Sequence, residues 1–258
     1  MSADTLVSVE TLGCFRVWSQ TGGEITATDW GREKAKTLLQ YFITRRFVLT
    51  PKERIVFDLW PQLDRRRADR DFKVALNALM TALQSERRPR EASAYIQRQG
   101  SAYGLVAQLF VIDAQLFSDL VQTGSRVETI DTVQAINHYR SAVDRYRGDY
   151  LPDALYEDWA SAERERLLTL YLSTASRLAT LLVNRRVDLE AIATAEAVLA
   201  RDPCWEEAYH VLMRAHSHRG NRPQVMRVYQ RCSSALKEEL GLDPMAATTR
   251  LYHELVSD

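Results

Sequence analysis

Residues 68–84, ADRDFKVALNALMTALQ, limit the fold of this chain more than any other stretch, because their apolar and polar positions separate with a helical period. One side consists of residues at the three- and four-residue spacing of a helix face: Phe72, Leu76, Leu79 and Leu83. The other side is polar and consists of Arg70, Lys73, Asn77, Thr81 and Gln84. We predict an amphipathic helix that buries the first side and presents the second. Such a helix is also typical of the surface of any α-rich domain, so its role depends on the neighbouring segments.

Length and composition are those of a globular protein with room for two domains. Of the 258 residues, 46% are apolar and 26% are charged. No apolar run is long enough to cross a membrane, and the N-terminus lacks the basic head and apolar core of a signal peptide. We therefore expect a cytoplasmic protein with no membrane partner. Cys14, Cys204 and Cys232 lack metal-ligand spacing, which predicts reduced, buried thiols without a disulfide or zinc.

The two halves of the chain carry opposite charge. Residues 1–110 hold 17 basic and 12 acidic side chains, a net of +5, whereas residues 111–258 hold 17 and 22, a net of −5. This asymmetry indicates two functions. The basic half fits a polyanionic partner, although many domains that bind none have a similar charge.

Short strands followed by helices are predicted before residue 61. Apolar alternation and turn residues indicate strands at Leu6–Thr11 and Phe15–Trp18, with Glu24–Thr28 a further candidate strand. The period then changes to that of a helix over Lys34–Thr44. A second helix is predicted from an N-cap at Thr50, with Pro51 at the first helical position and Glu53 at the third, to about Trp60, where Pro61 ends it.

A winged helix-turn-helix domain is the arrangement that this order indicates. Arg65–Arg67 and the amphipathic helix follow the second helix, and the polar segment SERRPREASA at residues 85–94 is predicted to be a loop. Tyr95–Arg98 and Ala102–Val106, separated by Gly100, are predicted to form a β-hairpin. In such a domain the third helix enters the major groove of DNA, and basic residues of the loops and hairpin contact phosphates.

Four blocks carry a resemblance to a known family: VETLGCFRVW, KAKTLLQYFITRRFVLTPKERIVFDLW, DFKVALNALMTAL and IQRQGSAYGL. In that order they resemble the OmpR-like DNA-binding domain of bacterial regulators that carry a bacterial transcriptional activator domain, a group that includes the Streptomyces antibiotic regulatory proteins. Family members often have Arg or Lys where this chain has Met80, Thr81 and Ala82, and often end the hairpin with Tyr-Arg-Leu instead of Tyr-Gly-Leu at 103–105. The basic face is therefore thinner than the resemblance implies.

The candidate DNA-binding residues follow from the predicted domain. Asn77 can pair with adenine at two points, and Lys73 or Arg70 can reach guanine. The alternative for Asn77, a solvated helix residue, stays equally open. For Arg65–Arg67 the alternative to phosphate contact is a solvated loop. The full candidate set is Arg65, Arg66, Arg67, Arg70, Lys73, Asn77, Thr81 and Arg98.

The second half is predicted to be helical, with a repeat at its end. Helices are expected over residues 111–124, ending at Gly124, over residues 132–146 and over residues 156–184. Setting Arg186 against Gly220, an offset of 34, aligns Ala191 with Val225 and Ala195 with Tyr229. Paired helices with this offset are typical of the tetratricopeptide repeat (TPR), in which Tyr209 and Leu212 would pack inward and Met213 replaces the usual small residue.

The family resemblance also covers this half, through RYRGDYLPD, YEDWASAERERL, ARDPCWEEAYHVLMRAHSHRGNRPQVMRVYQRC and LKEELGLDP. It implies self-association as a homodimer and contact with RNA polymerase or another protein. The closest form is the output end of large maltose-activator-like ATP-dependent regulators. Since the chain has no GxxxxGK[ST] motif, it is expected to be a standalone regulator or the end of a longer one. Trp159, Tyr209 and Arg227 are candidate contact residues. The alternatives are core packing for the two aromatic residues and a solvated helix face for the arginine.

Catalysis is not indicated. At about 100° per residue, the helical positions of His210, His216 and His218 do not converge on one face. The chain lacks HExxH, GxSxG and dinucleotide-binding glycine motifs, so we expect no enzyme activity, no metal and no cofactor.

Together these observations predict a mainly α protein with a small β component. The predicted domains are an OmpR-like winged helix at residues 1–110 and an all-α TPR-like domain at residues 111–258. The first hypothesis is a transcriptional regulator that binds double-stranded promoter DNA. The second is a protein-interaction scaffold whose winged helix has lost DNA binding and serves for docking.

Overall fold

A computed structural model of the chain describes residues 6–88 and 91–257. It separates into two compact units. One comprises Met1–Leu116 with Arg147–Leu167, and the other comprises Phe117–Tyr146 with Leu168–Asp258. The fold is mostly helical with a small β component near the N-terminus, as predicted. The segment 147–167 packs with the N-terminal unit although it follows residue 110, and the division into functional domains at that residue stays a prediction.

The elements of the N-terminal unit, in chain order, are β1 (Val7–Glu10), β2 (Arg16–Trp18), α1 (Ala27–Trp30), α2 (Glu33–Thr44), β3 (Thr50–Pro51), α3 (Lys52–Leu59), α4 (Arg65–Leu83), β4 (Ile96–Gln99), β5 (Ala102–Leu105) and β6 (Phe110–Ile112). The helices that follow are α5 (Asp113–Val127), α6 (Thr132–Arg145), α7 (Asp158–Asn184), α8 (Asp188–Leu199), α9 (Glu206–His218), α10 (Arg222–Leu240) and α11 (Ala246–Ser257). Short 3₁₀ turns lie at Ala107–Leu109 and Pro152–Ala154.

Two small sheets frame the helices of the N-terminal unit. The first has the order β2-β1-β6, with β1 antiparallel to β2 and parallel to β6. The second has the order β3-β5-β4 and contains the predicted hairpin, in which Arg98 pairs with Tyr103. The strand predicted at Glu24–Thr28 is wrong, because only Glu24 makes a bridge, to Trp18, and Thr26 already caps α1 with Asp29.

The start of α3 differs from the prediction. Thr50 is not an N-cap but part of β3, where it pairs with Tyr103 of the hairpin. Its hydroxyl donates to the carbonyl of Val48 at 3.1 Å, and Pro51 stands at the N-cap position. Thr50 and Pro51 are extended because they pair with strand β5 of the hairpin, so the helix begins later, at Lys52.

The amphipathic helix α4 begins earlier than predicted, at Arg65. The side chain of Asp64 accepts a hydrogen bond from the backbone N–H of Arg67 at 3.0 Å, which places the three arginines in the first helical turn and not in a loop. The predicted apolar face is buried, and Phe72 packs edge-to-face against Trp60 and Tyr103. Residues 85–88 and 91–94 are irregular, as predicted, and residues 89–90 of that predicted loop lie outside the described residues.

Thr11–Gly13 form a clamp that holds two distant parts of the chain. Asp113, at the start of α5, accepts hydrogen bonds from the backbone N–H groups of Thr11 at 2.8 Å and Leu12 at 3.0 Å. Burial raises the pKa of the Asp113 carboxyl, while these hydrogen bonds oppose the rise. On the other side, Gly13 donates to the carbonyl of Asp149 and Leu151 donates to that of Thr11, at 3.0 and 2.8 Å.

Helix α5 departs from the prediction at both ends. Val111 and Ile112 belong to β6, and the helix continues through Gly124 to Val127. Gly124 does not end the helix, because its role is close packing: a Cβ atom there would lie 2.7 Å from Cε1 of Tyr139 in α6.

Helices α8–α11 form the repeat region of the second unit, with each helix packing against the next. Ala191 and Ala195 of α8 and Val225 of α10, which the 34-residue offset relates, are fully buried, whereas Tyr229 is half-buried. Tyr209 and Leu212 of α9 are fully buried, as the repeat predicts. The second helix pair, α10 and α11, departs from the 34-residue repeat, because α10 has 19 residues whereas the corresponding helix α8 has 12.

The predicted burial of the cysteines holds only for Cys232. Cys14 and Cys204 are half-buried, and all three thiols are free. Within residues 6–88 and 91–257, none of the helices is both long and apolar enough to cross a membrane.

Candidate nucleic-acid interface

Helix α4 presents a continuous polar stripe to solvent. At about 100° per residue, Arg66, Arg70, Lys73, Asn77 and Thr81 fall within roughly 80° of one another around the helix axis. All five are exposed, whereas the opposite face is buried. The buried face holds the helix in the unit, so the stripe is displayed on a rigid element.

The basic side chains of α4 differ in their contacts. Arg67 lies 3.3 Å from the carboxylate of Asp64, and Arg70 lies 3.6 Å from that of Asp71. Within the described part of the chain, the side chains of Arg65, Arg66 and Lys73 are exposed and make no hydrogen bond or ion pair. These three cations therefore have the fewest competing contacts, while the two acidic neighbours reduce the positive potential at the start of the helix.

Arg98 belongs to the hairpin but is coupled to α4 through two aromatic rings. Its Nε donates to the carbonyl of Gly100 at 2.9 Å, and its guanidinium lies 5.4 Å from the ring centroid of Tyr103. The Tyr103 ring in turn packs 5.1 Å from that of Phe72 on the buried side of α4. The hairpin is thus docked on the helix, which positions Arg98 on the same unit as the stripe.

Asn77 has a partner that the sequence did not indicate. Nη2 of Arg87 donates to Oδ1 of Asn77 at 2.9 Å, and Nη1 donates to the carbonyl of Glu91 at 2.7 Å. Because arginine has only donors, the contact also determines the orientation of the Asn77 amide. Its NH₂ group stays available to donate, while one of the two lone pairs of Oδ1, the acceptor that a two-point contact with adenine needs, is already engaged by Arg87.

A cleft of about 510 Å³ adjoins the stripe. Its walls include Arg32, Lys34, Trp60, Arg70 and Val74. Lys34 donates to the carbonyl of Leu59 at 3.0 Å and lies above the Trp60 ring. Arg32 and Lys34 were not predicted as site residues, because they lie at the start of α2, more than thirty positions before α4 in sequence.

The three candidate contact residues lie in different surroundings. Trp159 is half-buried in the N-terminal unit, and its indole donates to Glu157 at 2.8 Å. Tyr209 is fully buried and donates to the carbonyl of Pro203 at 2.8 Å, so core packing explains it. Arg227 is exposed on α10, 3.3 Å from the side chain of Gln224.

The histidines of α9 have separate partners. His210 lies 2.7 Å from the hydroxyl of Thr248, and His218 lies 2.8 Å from the carboxylate of Asp188. Burial lowers the pKa of His210 and of His216. Among the described residues, no group of three or more His, Cys, Asp or Glu side chains is arranged to hold a metal ion.

Comparison with known families decides the affiliation of the chain. The model of the bacterial transcriptional activator domain family matches residues 112–256, which is more than half of the chain. The chain belongs to this family. Members of the bacterial transcriptional activator domain family are transcriptional regulators, and the sequence resemblance is thereby confirmed. A comparison with curated protein sequences finds no match.

A solved structure shares the architecture. Mycobacterium tuberculosis EmbR, in complex with a low-affinity phosphopeptide, matches with a TM-score of 0.83 at 18% sequence identity. The match covers 97% of this chain and 65% of that one, so this chain spans about two thirds of the EmbR chain. At this identity the likeness shows the fold alone, a winged helix followed by a helical region.

Proposed function

We propose that this protein is a DNA-binding transcriptional activator and that α4 is its recognition helix. The observation that carries the proposal is the exposed polar stripe of α4, which lies opposite a buried face on the helix that precedes the hairpin of a winged helix. In this fold class the corresponding helix enters the major groove, where side chains of this kind meet base edges.

The contacts divide into two kinds. Arg65, Arg66, Arg67 and Arg98 would bind phosphates, which positions the protein without reading sequence. Lys73 and Arg70 would donate to guanine, Asn77 would donate one hydrogen bond to a purine N7, and Thr81 would contact a neighbouring edge. Because Asp64 and Asp71 lie beside two of the arginines, binding should be weaker than in a uniformly basic interface.

The second half of the chain would mediate self-association and contact with other proteins. We assign residues 1–110 to DNA binding and residues 111–258 to contact with RNA polymerase or another protein, with a homodimer as the assembled form, in the cytoplasm. Support for this assignment comes from the family match over residues 112–256 and from the paired helices of that region.

Selection from genomic DNA fragments with the full chain, followed by a salt titration, tests the proposal. We expect a selected fragment whose log affinity falls linearly with log salt. Lys73→Ala and Arg66→Ala should each lower affinity, and Arg66→Ala, which removes a phosphate contact, should also reduce that slope by about 1. Arg250→Ala removes an exposed arginine from α11 and should leave both unchanged.

Failure would take a definite form. If no fragment is selected at low salt by the wild-type protein, DNA binding is wrong. The winged helix would then be better explained as a protein-docking module, for which the exposed stripe would be the first surface to test.

A further inference from the structure

A second cleft of about 510 Å³ lies in the N-terminal unit, and its walls include none of the residues proposed to bind DNA. Its walls come from α3, from Pro61 and from the segment that leads into α7. They consist of Arg54, Phe57, Asp58, Pro61, Tyr156, Glu157, Asp158 and Trp159.

Two aromatic side chains of this cleft are almost bare. Tyr156 is 98% exposed and Phe57 is 68% exposed. Large apolar rings are usually buried, and exposed rings that line one concave surface are typical of protein-interaction sites, where aromatic residues carry much of the binding free energy.

Hydrogen bonds hold the rest of the cleft in place. Trp159 donates to Glu157 at 2.8 Å, and its ring packs edge-to-face on Tyr41 at 5.6 Å. Asp58 accepts from the Tyr41 hydroxyl at 2.7 Å and from Arg54 Nε at 2.9 Å. The cleft therefore exists before a partner arrives, which lowers the entropy lost on binding.

The segment that carries Tyr156 is fixed as well. The guanidinium of Arg164 donates to the carbonyls of Tyr150, Ala154 and Leu155 at 3.1, 2.7 and 3.3 Å. The exposure of Tyr156 is thus a property of an ordered turn.

Charge determines the kind of partner. Arg54 neutralises Asp58, whose side chain is only 8% exposed. Among the residues that the structure describes, Glu157 accepts only a neutral indole N–H, and Asp158 is exposed and makes no ion pair. Two uncompensated carboxylates therefore border the aromatic rings. They would repel the phosphates of a nucleic acid and attract a cation.

We propose that this cleft binds a segment of a partner protein in which an arginine lies next to an apolar side chain. The planar guanidinium can stack on an aromatic ring and bind a carboxylate with two hydrogen bonds. The cleft shows this stacking already, since the guanidinium of Arg54 lies 5.6 Å from the ring centroid of Phe57. The neighbouring apolar side chain would cover the rings of Phe57 and Tyr156. This inference goes beyond the proposed function and does not depend on DNA binding.

The indole N–H of Trp159 offers a local readout. The chain has five tryptophans, so the nitrogen-15 spectrum of the full-length protein contains few indole signals, and Trp159→Phe assigns the relevant one. Three blocked synthetic peptides of equal length would be titrated: one with adjacent arginine and leucine, one with glutamate for the arginine, and one with alanine for the leucine. We expect a saturable shift of the Trp159 signal with the first peptide, and at least tenfold weaker binding of the glutamate peptide.

Variants of exposed residues separate binding from folding. Tyr156→Ser and Asp158→Asn should each weaken the first peptide by roughly three- to tenfold. Ile130→Ser, at an exposed apolar side chain of the second unit, should leave the affinity for the first peptide unchanged.

Equal binding of the arginine and glutamate peptides, or wild-type affinity in both cleft variants, would overturn the proposal. The absence of any shift of the Trp159 signal at millimolar peptide would also overturn it. Concentration-dependent self-association that Tyr156→Ser abolishes would overturn it as well, because the occupant would then be a second copy of this chain. A protein that failed to select DNA could still pass this test, so the two proposals fail separately.

Discussion

Arg87 donates a hydrogen bond from Nη2 to Oδ1 of Asn77, across ten positions of sequence. The same guanidinium binds the carbonyl of Glu91, so the segment after α4 is tied back to the polar stripe. The contact thereby engages one lone pair of Asn77 Oδ1 and fixes the orientation of the amide, and the NH₂ group stays free to donate.

Removing Arg87 should change base preference at one position. In Arg87→Ala the Asn77 amide is no longer held by Arg87 and is free to turn into the two-point contact with adenine, a pairing that discriminates by about 1–3 kcal/mol. Binding of a selected fragment and its single-base substitutions measures this preference. Asn77→Ala should lose selectivity at the same position. An Arg87→Ala protein with unchanged base preference would contradict the prediction.

We expect Arg98 to contribute to DNA binding and Tyr103 to contribute to the stability of the fold. Arg98→Ala should reduce the slope of log affinity against log salt by about 1, with little change in unfolding. Tyr103→Leu should lower the free energy of unfolding by about 0.5–1.5 kcal/mol, because it removes the ring contact with Phe72. Chemical denaturation and salt titration of both variants test this, and equal loss of stability in the two would argue against a binding role for Arg98.

Gly148→Ala should destabilise the N-terminal unit. A Cβ atom at Gly148 would lie 2.7 Å from the Cα of Gly13, so the two backbone segments must move apart, at a cost of about 1–3 kcal/mol. Gly23→Ala is a matched control, since its Cβ would meet only the Ser19 hydroxyl at 3.8 Å. Chemical denaturation compares them, and equal midpoints would show that the close approach is not required.

Glu128 should make the second unit sensitive to acid. The hydrogen bond from Arg177 lowers the pKa of the Glu128 carboxyl below its usual value of 4.5, with burial opposing this and the Tyr139 hydroxyl adding to it. The stabilisation is therefore present above pH 4.5 and is lost as the pH falls through the lowered pKa. Glu128→Gln should cost about 1.5–3 kcal/mol near neutral pH. That difference from wild type should shrink below pH 4.5.

Denaturation curves at several pH values measure the effect. Glu196→Gln provides the control, because the ion pair of Glu196 with Arg231 is largely exposed and should contribute less than about 1 kcal/mol. A Glu128→Gln deficit that persists unchanged to pH 3 would contradict the assigned pKa shift.

Helical periodicity predicted α2, α4, α6 and the repeat helices, because a buried face leaves a local pattern in the sequence. The boundaries that failed depend on distant partners. Thr50-Pro51 has the residues of an N-cap, yet it pairs with a hairpin strand some fifty positions later. Gly124 has the residue type of a helix end, yet the ring of Tyr139 explains it. In neither case does the local sequence show the partner.

The candidate interface was predicted in part for the same reason. The stripe on α4 follows from period alone, and its residues are exposed together. Arg87 lies in a charged segment that is typical of a solvated loop. Its contact with Asn77 depends on the backbone conformation of that segment, which the sequence pattern does not predict. The cleft at Tyr156 joins residues a hundred positions apart, for which no local pattern exists.

The clamp at Thr11–Gly13 closes a loop of the chain, because both ends of one segment bind to it. The intervening segment, about 36 residues from Asp113 to Asp149, leaves and returns to the same short stretch of backbone, so its closure entropy grows only with the logarithm of its length. Lengthening the turn between α5 and α6 should therefore be tolerated. A fragment cut after Leu116 would instead lose the backbone partners of Thr11 and Gly13, so a DNA-binding fragment should retain the segment through Leu167.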